Sequence, residues 1–186
     1  MIPQLYFDYL RSGDATPLQS VFYHNEMDVL AMAALLNHLA QMLETPPAGS
    51  AEAAFELAGM GRFYEDLGNL EEAVRAYQAC LACDLMDKVY WDTLELLSFI
   101  NKRQGDLAGA LALWEQAAHH DHLYAHVELA KYFEHQLRDY AQALVWTRRA
   151  LNSLSKPGTP AYLRQEWAAG LEHRQARLQK KLLSNH

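Results

Sequence analysis

Apolar positions along this chain recur almost everywhere at helical intervals. Side chains at 2, 5, 6, 9 and 10 predict a short amphipathic helix over 2–12. Gly13 and Asp14 then turn the chain. Thr16-Pro17-Leu18-Gln19 reads as a helix start, with Thr16 as cap and Pro17 at the first helical position. Apolar residues follow at 18, 21, 22, 29, 32, 33, 36, 39, 40 and 43. Helix is expected over most of 17–44, with a break allowed near His24-Asn25, because Asn25 is itself a good cap. Thr45-Pro46-Pro47-Ala48-Gly49-Ser50 cannot continue a helix and is expected as a linker.

Beyond the linker the pattern becomes that of helical hairpins. Leu57, Gly61 and Tyr64 fall on one helix, Gly68 makes a turn, and Ala73, Tyr77 and Cys80 fall on the next. Gly61 and Ala73 are small where two antiparallel helices must approach closely, and larger side chains fill the gaps beside them. Gly68 can take the positive φ that ends a helix. A second round has Trp91, Leu94 and Leu97, a turn at Gly105, then Ala110, Trp114 and Ala117. The third has Tyr124, Val127, Ala130 and Lys131, a turn at Arg138-Asp139, then Ala143, Thr147, Ala150 and Leu151. Arg138 replaces the turn glycine there. Leu57, Tyr64, Tyr77, Leu94, Leu97, Trp114, Val127 and Leu151 are expected in the core. Ser155–Pro160 is a second linker. A last helix over about 161–183 has apolar Tyr162, Leu163, Trp167, Leu171, Leu178 and Leu182. Arg164, Glu172, Arg174, Arg177, Lys180 and Lys181 are expected on its outer face, as on the end cap of a solenoid.

The spacing Leu57-x3-Gly61-x2-Tyr64, Gly68, Ala73-x3-Tyr77 resembles a tetratricopeptide repeat, and the three rounds imply a stack of such repeats. A second resemblance covers the N-terminal stretch from Ile2 to Leu30, which contains His24-Asn-Glu-Met-Asp28. It is similar to the C-terminal end of a ribonuclease H-like, DEDD-type 3′–5′ exonuclease domain of the YprB type. In that family the last motif is His-x-x-x-Asp on a helix. The resemblance implies Asp28 as a ligand of the catalytic divalent metal and His24 as the residue that activates the attacking water. Residues four apart on a helix share a face, so the two side chains could converge. The D-x-E pair of that family's first strand occurs nowhere in this sequence, and no strand pattern precedes His24. His24 and Asp28 are therefore expected to be an inactive vestige in this chain alone, and Met1 to be an internal start within a longer parent. The stretch 128–151 resembles helical tails that follow such nuclease domains.

Charge refines the picture. The net charge is −7 over 186 residues, distributed as −4 over 1–50, −7 over 51–100, 0 over 101–150 and +4 over 151–186. An acidic body argues against bulk electrostatic binding of nucleic acid, leaving only the basic last helix as a candidate contact. No run is long and apolar enough for a membrane span and no signal peptide is evident, so a cytoplasmic protein is expected. Cys80 and Cys83 form a lone C-x-x-C. No second cysteine pair completes a zinc site, and Cys80 falls where the repeat wants a small apolar residue, so both are expected to be structural. His122 and His126 have metal-pair spacing, but nothing in the sequence completes a site. They are expected as solvated turn histidines.

The expected fold is all-α: an α-α superhelix of tetratricopeptide-like hairpins with an N-terminal helical hairpin and a C-terminal capping helix. The expected divisions are 1–44, a linker over 45–53, three repeats over 54–155, and a linker with capping helix over 156–186. Residues 2–44 are expected to dock on the first repeat through Leu36, Leu39, Ala40 and Leu43. The expected function is a protein-interaction or scaffolding module, the C-terminal part of a larger exonuclease-like protein. First-helix residues should line a concave groove: Phe55, Arg62, Asp92, Glu95, Phe99, Lys102, Arg103, Glu128, Tyr132 and His135. Mixed charge with a few aromatics suits an extended peptide or a partner helix. Ala58 and Arg62 occupy two positions where some tetratricopeptide proteins grip chaperone C-terminal carboxylates, which argues against that ligand. No cofactor or metal is expected, magnesium or manganese entering only with a complete parent nuclease. The competing expectation is a metal-dependent exonuclease whose sheet and remaining carboxylates come from outside this chain.

Overall fold

A computed structural model describes residues 2–47, 49–83 and 86–184. Among them the only regular structure is helical, and no strand occurs. The chain falls into two compact units, Met1–Pro47 and Ala48–His186.

The first unit holds α1 (Ile2–Ser12), a 3-10 turn (Thr16–Leu18) and α2 (Gln19–Glu44). The two helices meet chiefly through the 3-10 turn. Thr16 does not cap α2. Instead its amide donates to Asp14 Oδ1 at 2.9 Å, because a short carboxylate reaches the amide two residues on. Nor does α2 break at His24-Asn25; the Ala, Leu and Met of 27–43 are strong helix formers and carry it through. Among the unit's described residues, Leu18 is the one buried side chain. Phe22, Tyr23, Met27, Leu30, Met32, Leu35, Leu36, Leu39 and Leu43 are all exposed.

The second unit is a stack of helical hairpins: α3 (Ala51–Asp66) with α4 (Leu70–Leu81), α5 (Lys88–Gln104) with α6 (Leu107–His119), and α7 (Leu123–His135) with α8 (Tyr140–Leu154). A final helix, α9 (Ala161–Ser184), packs on α8. Each helix packs mainly on its neighbours in the chain, as a linear array must. Every hairpin turns the same way. Gly68, Gly105 and Arg138 take positive φ of 76°, 83° and 55°. The next residue, Asn69, Asp106 or Asp139, caps the second helix by accepting from the amide three residues on. Arg138 thus adopts a conformation that suits glycine, and its turn keeps the same geometry through the Asp139 cap.

Small residues set the helix crossings. Ala73, Ala110 and Ala143 are fully buried. The Tyr77 ring lies so close to Gly61 that a Cβ there would overlap it. Leu57, Tyr77, Leu94, Leu97, Trp114 and Val127 are buried as expected, while Tyr64 and Leu151 are half-buried. Cys80 and Cys83 are buried free thiols, and Cys80 Sγ donates to the Ala54 carbonyl at 3.2 Å. Ala73→Leu should overpack the α3–α4 crossing and cost on the order of 1–3 kcal/mol. Urea unfolding would check this, and an unchanged midpoint would contradict the packing register.

Two expectations fail here. His126 is not a solvated turn histidine. It is 2% exposed, with Nε2 at 3.2 Å from the Ala118 carbonyl, because helix α7 starts at Leu123 and carries residue 126 inward. His122 stacks on Trp91 with ring centroids 4.6 Å apart. The charged face of α9 is not wholly outward either. Arg174 and Arg177 each reach Glu134 at 2.6 Å, and Lys181 approaches it at 3.5 Å. Glu134 is 2% exposed, so these cations fasten α9 to α7.

Candidate functional site

In the second unit, the first helices of the hairpins carry the expected groove residues, and the structure gathers most of them into two hollows. One hollow, of about 330 Å³, is lined by Arg62 from α3 and by Asp92, Glu95, Leu96 and Phe99 from α5. The residues on α5 follow an i, i+3, i+4, i+7 pattern, so they share one helical face. Asp92 pairs with Lys88 at 2.5 Å. The Glu95 carboxylate has no hydrogen-bond or ion-pair partner among the described residues, although the residue's backbone carbonyl accepts from Ser98 Oγ at 2.7 Å. Its carboxyl titrates above the usual range because burial disfavours the anion and the Asp92 charge adds to this.

The second hollow, of about 160 Å³, is lined by Lys102, Leu107, Trp114, Glu128, Lys131, Tyr132, His135 and Gln136. Here Glu128 is not an open groove residue. It is 4% exposed and accepts from Lys102 at 2.5 Å and Lys131 at 2.6 Å. Burial alone would raise its pKa, but the two ammonium groups overcome that and hold it below the usual value. The Lys102 ammonium also lies 5.7 Å from the centroid of the Trp114 ring.

Phe55 and Arg103 join neither hollow. Phe55 is exposed on α3. Arg103 reaches back to Glu65 at 2.6 Å and Glu65 also accepts from the Tyr77 hydroxyl, which ties the first hairpin to the second. An aromatic run that the repeat pattern does not join to the groove continues from Phe99. Trp91 packs against His120 and His122 at 4.5 and 4.6 Å, and the Tyr124 ring lies 6.2 Å from both His122 and Phe99. The Tyr124 hydroxyl is buried with no hydrogen-bond partner among the described residues. The sequence marks Trp91 and Tyr124 only as first-helix positions of the second and third repeats, and nothing in their spacing separates a groove wall from a core.

In the first unit, His24 and Asp28 stand four residues apart on α2, and both are exposed. The His24 ring packs edge-on to Tyr23 at 6.0 Å. Among the described residues no group of three or more histidine, cysteine or acidic side chains stands together to hold a metal ion. A catalytic magnesium or manganese needs several oxygen ligands, and His24 with Asp28 supplies one carboxylate and one imidazole.

Comparison with known proteins bears on the first unit most directly. Residues 1–40 match the model of the RNase H superfamily. The chain is 28% identical over 189 residues to the uncharacterized protein YprB of Bacillus subtilis (strain 168), covering 99% of this chain and 43% of that protein. It therefore spans less than half the length of this curated relative. The first match ties residues 1–40 to RNase H-superfamily sequence. No described helix is long and apolar enough to cross a membrane.

Proposed function

We propose that this chain is the helical C-terminal part of a larger nuclease-related protein, with the hairpin stack serving as its protein-interaction module. The exposed apolar surface of α2 is the observation that carries the first half of the reading. Ten large apolar side chains on that helix, Val29 among them, are in contact with solvent, far more than an isolated surface tolerates. They suit a helix that covers a sheet supplied by sequence outside this chain, in keeping with the RNase H superfamily match over 1–40. In that setting His24 and Asp28 would complete the last motif of a 3′–5′ exonuclease. The interaction role rests on the two hollows along α5 and α7, which present charged and aromatic groups together.

The test is digestion of a labelled single strand with manganese, using the chain alone and its Asp28→Ala variant. Equal background rates are expected, since one carboxylate and one imidazole cannot assemble the site. Manganese-dependent shortening abolished by Asp28→Ala would overturn the reading, and would mean that the chain forms a complete site unaided.

A further inference from the structure

We propose that the hollow of Asp92, Glu95, Leu96 and Phe99 holds a lysine or arginine side chain of an extended partner peptide. The proposal deepens the interaction-module reading and rests on it. Three observations converge. First, the hollow pairs carboxylates with an aromatic wall: Phe99 lines it, and the Tyr124 ring stands 6.2 Å from Phe99. A cation with an aliphatic stem is the one natural side chain that satisfies both kinds of wall. Second, the hollow contains an unmet carboxylate. The Glu95 side chain lines it, is half-buried, and has no hydrogen-bond or ion-pair partner among the described residues. An incoming ammonium or guanidinium would supply the missing charge. Third, the surrounding sequence has the complementary sign: residues 51–100 carry −7, a field that draws in a cationic segment and repels an acidic one.

The two cations already nearby do not fill this role. Lys88 pairs with Asp92 but is 85% exposed, and such a pair is weak enough to yield. Arg62 is exposed at the rim, where solvent screens its charge. Neither is hydrogen-bonded to Glu95.

The experiment titrates the isotope-labelled full chain with a short alanine-serine peptide carrying two arginines, following amide shifts by NMR at low salt. A matched peptide has citrulline in place of arginine, which keeps the shape and removes the charge. A third has glutamate. Saturable shifts centred on Asp92, Glu95 and Phe99 are expected with the arginine peptide only. Glu95→Gln should weaken its binding about tenfold, the size of one charge-assisted hydrogen bond. Phe99→Leu should weaken it less while leaving the chain folded. Binding indifferent to Glu95→Gln, or equal binding of the citrulline peptide, would overturn the proposal. If the glutamate peptide instead shifts Lys102 and Lys131, the basic occupant is wrong but the interaction module stands. If no peptide of any charge moves the α3, α5 and α7 amides, both readings fall.

Discussion

Glu134→Gln should destabilise the hairpin stack by about 3 kcal/mol, the lower part of the range for breaking a buried ion pair. Among the described residues, Glu134 is the one anion that pairs with Arg174, Arg177 and Lys181, and its side chain is 1% exposed. Burial by itself would raise its pKa, yet the arginine hydrogen bonds and charges hold it below the usual carboxylate range. Removing the charge leaves Arg174, 16% exposed, without its counterion and beside another arginine. Arg177 and Lys181 are about 40% exposed and can turn to water, which is why the lower figure applies. The loss should appear as a lower urea midpoint and as early proteolysis within α9. Truncating both sides, as in Glu134→Leu with Arg174→Leu, should recover part of it. A Glu134→Gln variant as stable as the parent would mean that α9 is held by Leu171 and Leu178 alone.

Acidification should cost stability of similar size, in a window set by His126. Its imidazole titrates down to about 4 from an ordinary value of 6.5, because burial disfavours the cation and the charges of Arg149 and His122 add to this. The folded state therefore refuses a proton that the unfolded chain accepts. Stability from this group is full above pH 6.5 and falls as the pH drops from there toward 4, by about 3 kcal/mol in all. Asp121 lies 3.8 Å from Nε2, too far to hydrogen-bond, and is engaged by Lys156 and Ser153. His122, also depressed by burial, works in the same direction. Glu128 and Glu134 extend the loss at lower pH, since both bind protons less readily folded than unfolded. Urea midpoints measured from neutral pH to just above 4 should show the decline, and His126→Gln should flatten it. A level profile across that range would contradict a neutral, buried His126.

The hairpins were legible because their determinants are local. Gly68 and Gly105 mark turns by a backbone preference that any reading of the sequence recovers, and Ala73, Ala110 and Ala143 mark crossings by size alone. Arg138 shows where that ends. It takes the glycine conformation only because Asp139 caps the following helix and the third hairpin packs like the others. The groove was legible as a set of positions but not as a surface. Glu128 has the right phase on α7, and only the approach of Lys102, 26 residues away, turns it into a buried counterion. For the same reason Arg174 and Arg177 read as an outward charged face. Their partner, Glu134, is 40 and 43 residues away, and no periodicity reports that distance. His126 was misjudged because a helix beginning at Leu123 turns it inward, whereas the run His119–His122 suggested a longer turn.

The end-to-end order of the stack has a consequence for how it comes apart. Since α3 to α9 pack mainly on their chain neighbours, opening one end costs only the interfaces at that end. The acid-labile groups, His126, Glu128 and Glu134, all sit on α7, while Asp92, Glu95 and Phe99 lie on α5, packed between α4 and α6. Mild acid should thus fray the chain from its C-terminal side and leave the α3–α5 hollow assembled. Glu95 takes up a proton above the usual carboxylate range, so in an acidic setting the hollow would keep its shape while its hold on a cation weakens.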